Sequence, residues 1–175
     1  MTHFRGSSRK IAALICIIAI AGFVGIQPGL AADKKVEIMH GKLTGVEGTV
    51  EVKKIGTKEW VPAKDGMVIS PGDAVSAGID GKAKLAYENS STDIEPLAQF
   101  VIGRAVESEN QYTTEIFLQV GKIKSDVDHV GEKSNKFNIV TPSAACGIRG
   151  TIVEAGYTPG LGAEITTQEG LKEVV

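Results

Sequence analysis

Cysteine and histidine are scarce in this sequence, which contains two cysteines and three histidines among 175 residues. Cys16 falls in an apolar leader, so Cys146 is the single cysteine of the remaining chain and no intramolecular disulfide can form there. His40, His129 and Cys146 are too widely scattered to match the compact ligand spacings of zinc sites. The sequence therefore predicts no metal site and no other cofactor.

Catalytic motifs are also missing. The chain has no G-x-S-x-G, no glycine-rich phosphate loop and no dinucleotide fingerprint. A thiolate nucleophile at Cys146 paired with His129 is the less favoured alternative. His129 falls in a polar stretch and Cys146 follows two alanines, a setting more typical of a buried, inert cysteine. We predict that the protein is not an enzyme.

Clusters of basic residues are absent, and the formal net charge is −2. Removal of residues 1–31 would take away three positive charges and no negative one, which lowers the net charge to about −5. Proteins that bind nucleic acids draw affinity from clustered lysine and arginine that neutralise phosphates. The sequence therefore predicts no nucleic-acid partner.

The first residues have the layout of a signal peptide. Arg5, Arg9 and Lys10 precede an uncharged apolar run over residues 11–26, and small residues allow cleavage after Ala31 or Ala32. We predict a signal peptide at 1–31, an N-terminal segment at 32–42 and one β domain at 43–175, in the periplasm or secreted. The alternative is an uncleaved inner-membrane anchor, although the run is shorter than the roughly 20 apolar residues of a spanning helix. After cleavage no stable membrane span is expected.

Long stretches of helical periodicity are absent after residue 36, where short alternating runs are separated by Gly, Pro, Asn and Asp. This pattern predicts an all-β fold, either an elongated solenoid-like stack or a sandwich. Ser70–Asp73 has the pattern of a type II turn, and Asp80-Gly81 that of a hairpin turn. The predicted strands are 46–53, one opened by Trp60, 74–77, 82–87, 113–120, 137–141, 151–153, 163–167 and 171–175.

Other segments are expected to be less regular. Two polar stretches, 88–93 and 125–136, are expected to form exposed loops. An irregular or edge strand is expected over residues 94–102, because Pro96 interrupts the apolar pattern there. Gly121 is expected to shift the register of the clearest strand before Ile123. We predict that Trp60 lies in the core or covers a sheet edge.

An ordered set of short motifs over residues 43–175 resembles the FecR domain, a periplasmic module of regulators that relay iron-siderophore signals. The stretch Phe137-x-Ile139-x-Thr141-Pro142-x-Ala144, followed by Ile148-Arg149-Gly150-Thr151, is similar to the most recognisable segment of that family. The other matching pieces are Val46-x-Gly48-x-Val50, Trp60-Val61, Pro71-Gly72-Asp73, Ala77-Gly78, Ala83-x-Leu85 and Leu118-x-Val120-Gly121-x-Ile123.

The resemblance implies a module that acts by binding. Its motif residues are expected to be structural, with Arg149 bracing a corner against a carboxylate or backbone carbonyls; they are Gly72, Asp73, Thr141, Pro142, Arg149, Gly150 and Thr151. The chain departs from the family at Glu88-Asn89-Ser90, where many members have Asp-Gly-Ser. Ten residues before the apolar run leave no space for the anti-sigma region of the signalling members, so we expect a stand-alone secreted FecR-like domain.

Two kinds of function follow as expectations. The first is a non-catalytic envelope module that binds another protein or an envelope polymer, for example by strand addition at an open sheet edge. The second is a structural or assembly component of the envelope, in which the same edges stack between copies. The sequence identifies no partner in either case.

Overall fold

The computed structural model describes residues 35–128 and 133–168, and all regular structure in these ranges is β-strand. This confirms the all-β prediction. The strands are β1 (Val36–Ile38), β2 (Gly41–Glu47), β3 (Val50–Lys53), β4 (Val61–Pro62), β5 (Val68–Ile69), β6 (Ala74–Ala77), β7 (Lys82–Ala86), β8 (Ser90–Ile94), β9 (Gln99–Ser108), β10 (Gln111–Val127), β11 (Ser134–Val140), β12 (Ala145–Ile148), β13 (Ile152–Thr158) and β14 (Gly162–Gln168). The predicted signal helix, His129 and the strand at 171–175 lie outside the described residues. No helix in these ranges is long and apolar enough to cross a membrane.

The longest strand, β10, belongs to both halves of a curled sheet. Its first part pairs in parallel with β11 and antiparallel with β9, and its second part pairs antiparallel with β8 and β13. We call the first set half A, with the order β12-β11-β10-β9-β6-β3-β4. The second set is half B, with the order β14-β13-β10-β8-β7-β2-β5. The short strand β1 pairs with the far end of β9.

Gly121 separates the two parts of β10. Before it the even-numbered residues, such as Ile116 and Leu118, are buried, whereas after it the odd-numbered residues Ile123 and Val127 are buried. Because side chains alternate between the faces of a strand, one residue in a left-handed conformation exchanges the two faces. Gly121 has φ 86°, which glycine adopts without steric cost. The predicted register shift is confirmed.

One hydrophobic core lies between the two halves. Half A contributes Val52, Phe100 and Phe137, half B contributes Leu43 and Leu85, and all five are fully buried in a single cluster. Strands that are distant in sequence therefore pack on each other through the sheet faces. The two halves form one curled sheet, a half-barrel around the core. Contacts between strands distant in sequence are unlike those of a solenoid, whose repeats contact only their neighbours along the chain.

Two strand predictions are wrong in their pairing. The predicted strand 46–53 is broken at Gly48, whose φ is 60°, so that β2 and β3 belong to different halves. The turn at Asp80-Gly81 does not close a hairpin either: β6 pairs with β3 and β9, whereas β7 pairs with β2 and β8. A turn motif reports that the chain changes direction, but the partner of each strand depends on which faces pack.

The polar stretch 88–93 predicted as a loop contains all of β8 except its last residue, and β8 is an interior strand between β7 and β10. Its inward residues Ser90 and Thr92 are buried, and Thr92 Oγ1 lies 3.0 Å from Ser125 Oγ of β10. Because these inward side chains are polar, the alternation of the strand is invisible to a hydrophobic pattern. Residues 99–102 were likewise expected at an edge but begin β9, which lies between β6 and β10. Strand β10 also continues into the predicted loop 125–136, as far as Val127.

Candidate functional site

The turn Ser70–Asp73 connects β5 of half B to β6 of half A. Gly72 has φ 90°, and the Asp73 amide donates a hydrogen bond of 3.0 Å to the Ser70 carbonyl. These are the features of a type II turn, with proline and glycine in the central positions. The predicted turn is confirmed, and Gly72 also leaves space for Ile55: an added Cβ would lie 2.3 Å from Ile55 Cδ1.

The Asp73 carboxylate is the centre of a buried polar group at this turn, with 1% of its side chain exposed. It accepts hydrogen bonds from the backbone amides of Ile55 and Ser70, each 2.9 Å long, and from Lys54 Nζ at 2.8 Å. Burial alone would raise the pKa of Asp73, but the Lys54 ammonium and the two amides together hold it below its ordinary value. The carboxylate therefore remains charged and joins the chain after β3 to the start of β6.

A serine and a histidine lie beside the same turn. His40 Nδ1 is 2.9 Å from Ser70 Oγ, and both side chains are accessible to solvent. Asp73 contacts the Ser70 amide and not the imidazole, so it does not orient His40 as the acid of a catalytic triad would. Gly72 and Asp73 thus form a turn and the buried hydrogen-bonded group beside it.

Thr141 and Pro142 form the turn between β11 and β12. The Thr141 amide donates to the Ala144 carbonyl at 2.8 Å, and Thr141 Oγ1 accepts a hydrogen bond of 2.9 Å from the Ala144 amide. Pro142 is exposed and lies two residues after Val140, where β11 ends, as expected for a residue that cannot donate to the ladder. The expected corner is a hairpin, because β12 turns back and pairs antiparallel with β11.

Arg149, Gly150 and Thr151 lead the chain from β12 in half A to β13 in half B. Gly150 has φ 68°, and the Thr151 carbonyl accepts a hydrogen bond of 3.3 Å from the Val127 amide of β10. Arg149 is exposed and forms no ion pair or hydrogen bond with any residue in the described ranges. The expected corner brace is therefore not found among the described residues.

The two motif groups do not form one site. In half A, strands β9, β10 and β11 lie between β6, which follows Gly72 and Asp73, and β12, which precedes Arg149. The first group lies where the chain passes from half B to half A, with Asp73 buried and Gly72 partly buried. The second group surrounds a sheet edge.

Strand β12 is the end strand of half A and has a free backbone edge within the described structure. Thr141 and Ala144 form a hydrogen-bonded pair, so alternation along an antiparallel ladder makes Cys146 the next residue bonded to β11. The N–H and C=O groups of Ala145 and Gly147 then point away from β11, towards the open side. Two residues thus present two donors and two acceptors to any chain that approaches this edge.

This edge lacks the features that usually protect sheet ends. At the other sheet ends, β4 contains Pro62, β14 contains Glu164, β5 has only two residues, and the three-residue β1 contains Glu37. Strand β12 (ACGI) contains neither proline nor charge. Charged residues, proline and very short strands are the means by which proteins prevent edge pairing, so β12 is the edge most open to another strand.

An apolar row on the outer face of half A leads to this edge. Val101, Phe117, Val140 and Ala145 lie opposite one another on β9, β10, β11 and β12. Phe117 is 38% exposed and lies over Gly103, where an added Cβ would be 2.2 Å from the ring. An incoming strand could extend this row with an apolar side chain beside Ala145.

Cys146 occupies the inner side of β12 and is partly buried as a free thiol, less completely than expected. Its Sγ has one hydrogen-bonding contact in the described structure, 3.9 Å from the carbonyl of Gly147. His40 is bonded to Ser70, and no group of three or more His, Cys, Asp or Glu in the described ranges could hold a metal ion. His129, the alternative base, falls outside those ranges.

Ala145 and Gly147 are functional candidates that the sequence motifs do not indicate. Both are exposed, and their contribution comes from backbone groups that carry no side-chain signal. The sequence does contain one indication: a run of small and apolar residues without charge extends from Pro142 to Ile148 and ends at Arg149. That run indicates an unprotected edge strand only once the position of β12 at the end of the sheet is known.

Comparison of the chain with protein-family models, with curated proteins and with solved structures finds no match.

Proposed function

We propose that this protein is a non-catalytic binding module of the bacterial cell envelope, periplasmic or secreted, which captures an extended segment of another protein by strand addition at β12. The observation that carries the proposal is the outward orientation of the Ala145 and Gly147 backbone groups on an uncharged end strand. In strand addition, main-chain hydrogen bonds supply affinity and the flanking side chains supply specificity. The resemblance to the FecR domain, a module that acts by binding, supports the same proposal.

The surroundings of β12 define the chemistry of the partner segment. Its residues beside Ala145 and Gly147 have to be uncharged, because small side chains and the row ending at Phe117 and Val140 lie next to them. At the end of β12 the exposed guanidinium of Arg149 has no acidic partner in the described structure. A carboxylate on the incoming segment would complement it. The partner is therefore an extended protein segment with an acidic residue next to an uncharged run, and an envelope polymer is the second candidate.

Strand capture is tested by replacing Gly147 with proline. Proline removes the N–H that points to the open edge, and edge strands tolerate proline where that group faces solvent. We expect about fivefold weaker capture, since a lost hydrogen bond is worth roughly 1 kcal/mol. The measurement uses a photo-cross-linking residue at position 145, in cells, with the adducts identified by mass and quantified.

Gly147→Ala is the matched control, because it keeps the N–H and its Cβ would lie an acceptable 3.5 Å from Asn138 Oδ1. Its adducts should equal those of the unchanged chain. Arg149→Ala should keep the melting temperature and reduce capture severalfold, as expected for a charge at the rim of a contact. Equal adduct yields in Gly147→Pro and Gly147→Ala would contradict strand addition at β12.

Export is a separate part of the proposal. If residues 1–31 form a cleaved signal peptide, the N-terminus of the protein from a periplasmic extract should be Ala32 or Asp33. Edman degradation or mass spectrometry of the purified chain measures this directly. A chain that keeps Met1 and sediments with the inner membrane would instead support the uncleaved anchor.

A further inference from the structure

We infer that, when no partner segment is bound, β12 pairs antiparallel with β12 of a second copy about a two-fold axis that passes beside Cys146. The inference rests on the proposed function, because both use the same open edge. It adds a regulatory property: self-pairing covers the edge, and a partner segment has to compete with the second copy. The geometry of three residues carries this inference.

The register follows from the orientation of the backbone groups. Ala145 and Gly147 direct their N–H and C=O groups to the open side, two residues apart. In an antiparallel pair with two-fold symmetry, Ala145 then lies opposite Gly147 of the second copy, and Gly147 lies opposite Ala145. This register uses all four outward groups of each β12 in hydrogen bonds. It also keeps the inner and outer faces of the two strands aligned, since directly opposite residues share a face.

The side chains are compatible with this register. The two outer positions carry alanine and glycine, so no bulky groups oppose each other, and β12 itself contains no charge. Each Arg149 lies three residues from the axis, on opposite sides, which places the two Cα atoms about 20 Å apart at the usual rise of a strand. That separation exceeds the screening length at physiological ionic strength, so repulsion between them is small.

The contact is small, and this sets its strength. Four residues from each chain bury less area than a stable protein interface requires. The dimer is therefore weak and exchanges with monomer, which allows a partner segment with a longer match or an acidic residue near Arg149 to replace the second copy. A tight dimer would make the edge unavailable.

Cys146 reports on the register, because it lies on the axis opposite its own copy. In this register the Cys146 pair is a non-hydrogen-bonded pair, the type in which opposite side chains approach most closely and can be bridged by a disulfide. The oxidant diamide accepts two electrons and two protons from two thiols, becomes a hydrazine and leaves one disulfide between the copies. The experiment uses the full chain with Cys16→Ser, so that Cys146 is its only thiol whether or not the leader is removed.

We expect the disulfide-linked dimer to form about thirtyfold faster in this chain and in its Gly147→Ala version than in its Gly147→Pro version, because each of the two copies loses one hydrogen bond. The rate at which a maleimide reacts with each version measures the accessibility of the Cys146 thiol. The rate of dimer formation of each version is divided by its maleimide rate before the versions are compared. Sedimentation equilibrium of the Cys146→Ser chain should show a mass that rises reversibly with concentration. Gly147→Pro should remain monomeric under the same conditions.

A constant monomer mass at millimolar concentration, or equal normalised cross-linking in Gly147→Pro and Gly147→Ala, would overturn the self-pairing. The proposed function is judged separately by the adducts formed in cells, which are identified by mass as the chain plus another protein. If these adducts form, are lost in Gly147→Pro, and the purified chain forms no dimer, strand capture is supported and only self-pairing is contradicted.

Discussion

Replacement of Gly121 by alanine is expected to lower the free energy of unfolding by about 4 kcal/mol, a large part of the stability of a typical domain. The residue has φ 86°, which costs an L-residue about 1 kcal/mol or more. The rest of the expected loss comes from steric overlap, since an added Cβ would lie 2.5 Å from both Ala98 Cα and the Leu97 carbonyl oxygen. These are backbone atoms of the connection between β8 and β9, so they cannot rotate away as a flexible side chain would.

Gly160→Ala is the control that separates the two costs. Gly160 has φ 85°, almost equal to that of Gly121, but no atom lies within 4 Å of the position of its added Cβ. It should lose only about 1 kcal/mol, the cost of the left-handed conformation. Urea denaturation followed by circular dichroism measures both variants. Equal losses in the two would mean that the close approach at Gly121 contributes nothing.

Replacement of Asp73 by alanine is expected to cost about 3 kcal/mol at neutral pH. It leaves the amides of Ile55 and Ser70 without their acceptor and removes the partner of Lys54. A buried donor that loses its acceptor costs about 1–3 kcal/mol, whereas Lys54, whose side chain is 40% exposed, can turn to water. Chemical denaturation at pH 7 tests the expected loss, and Asp93→Ala serves as the matched control because its ion pair with Lys84 is exposed and should contribute less than 1 kcal/mol.

The pH dependence of Asp73 has a defined sign. The hydrogen bonds lower its pKa in the folded state relative to the ordinary value of 3.8, so folding favours the charged form. The stabilisation is complete well above 3.8 and is lost as the pH falls through the lower pKa of the folded state. The difference in stability between the unchanged chain and Asp73→Asn should therefore be constant from pH 7 to pH 5 and shrink below about pH 4. A difference that grows on acidification would contradict the assignment.

The parts of the fold that were predictable have local causes. The Pro-Gly pair at residues 71–72 predicts its own turn because proline restricts φ and glycine accepts a positive φ, and the structure confirms it. The inward faces of the strand containing Ile116 and Leu118, and of the strand containing Leu85, are also correct, because alternating apolar residues predict which side is buried. In each case the signal and its consequence lie within a few residues.

The errors arose where burial depends on residues far away in the chain. The polar strand β8 is buried because Thr92 meets Ser125 on β10, and a local pattern contains no information about that partner. Arg149 was expected to brace a corner, but its side chain is exposed and has no hydrogen-bond or ion-pair partner in the described structure. The candidate edge was missed for a related reason, since backbone groups are present in every residue and only the sheet order decides which remain unpaired.

The sequence by itself determined the class of the fold and the places where the chain turns, because strand alternation and the φ preferences of proline and glycine act locally. Tertiary structure alone decided that β10 joins two halves around one core, that Asp73 is buried at their junction and that β12 ends half A with Ala145 and Gly147 facing outwards. These properties depend on pairing between strands distant in the chain, which is selected by the fit of whole faces. The binding edge proposed for this protein is a result of that selection.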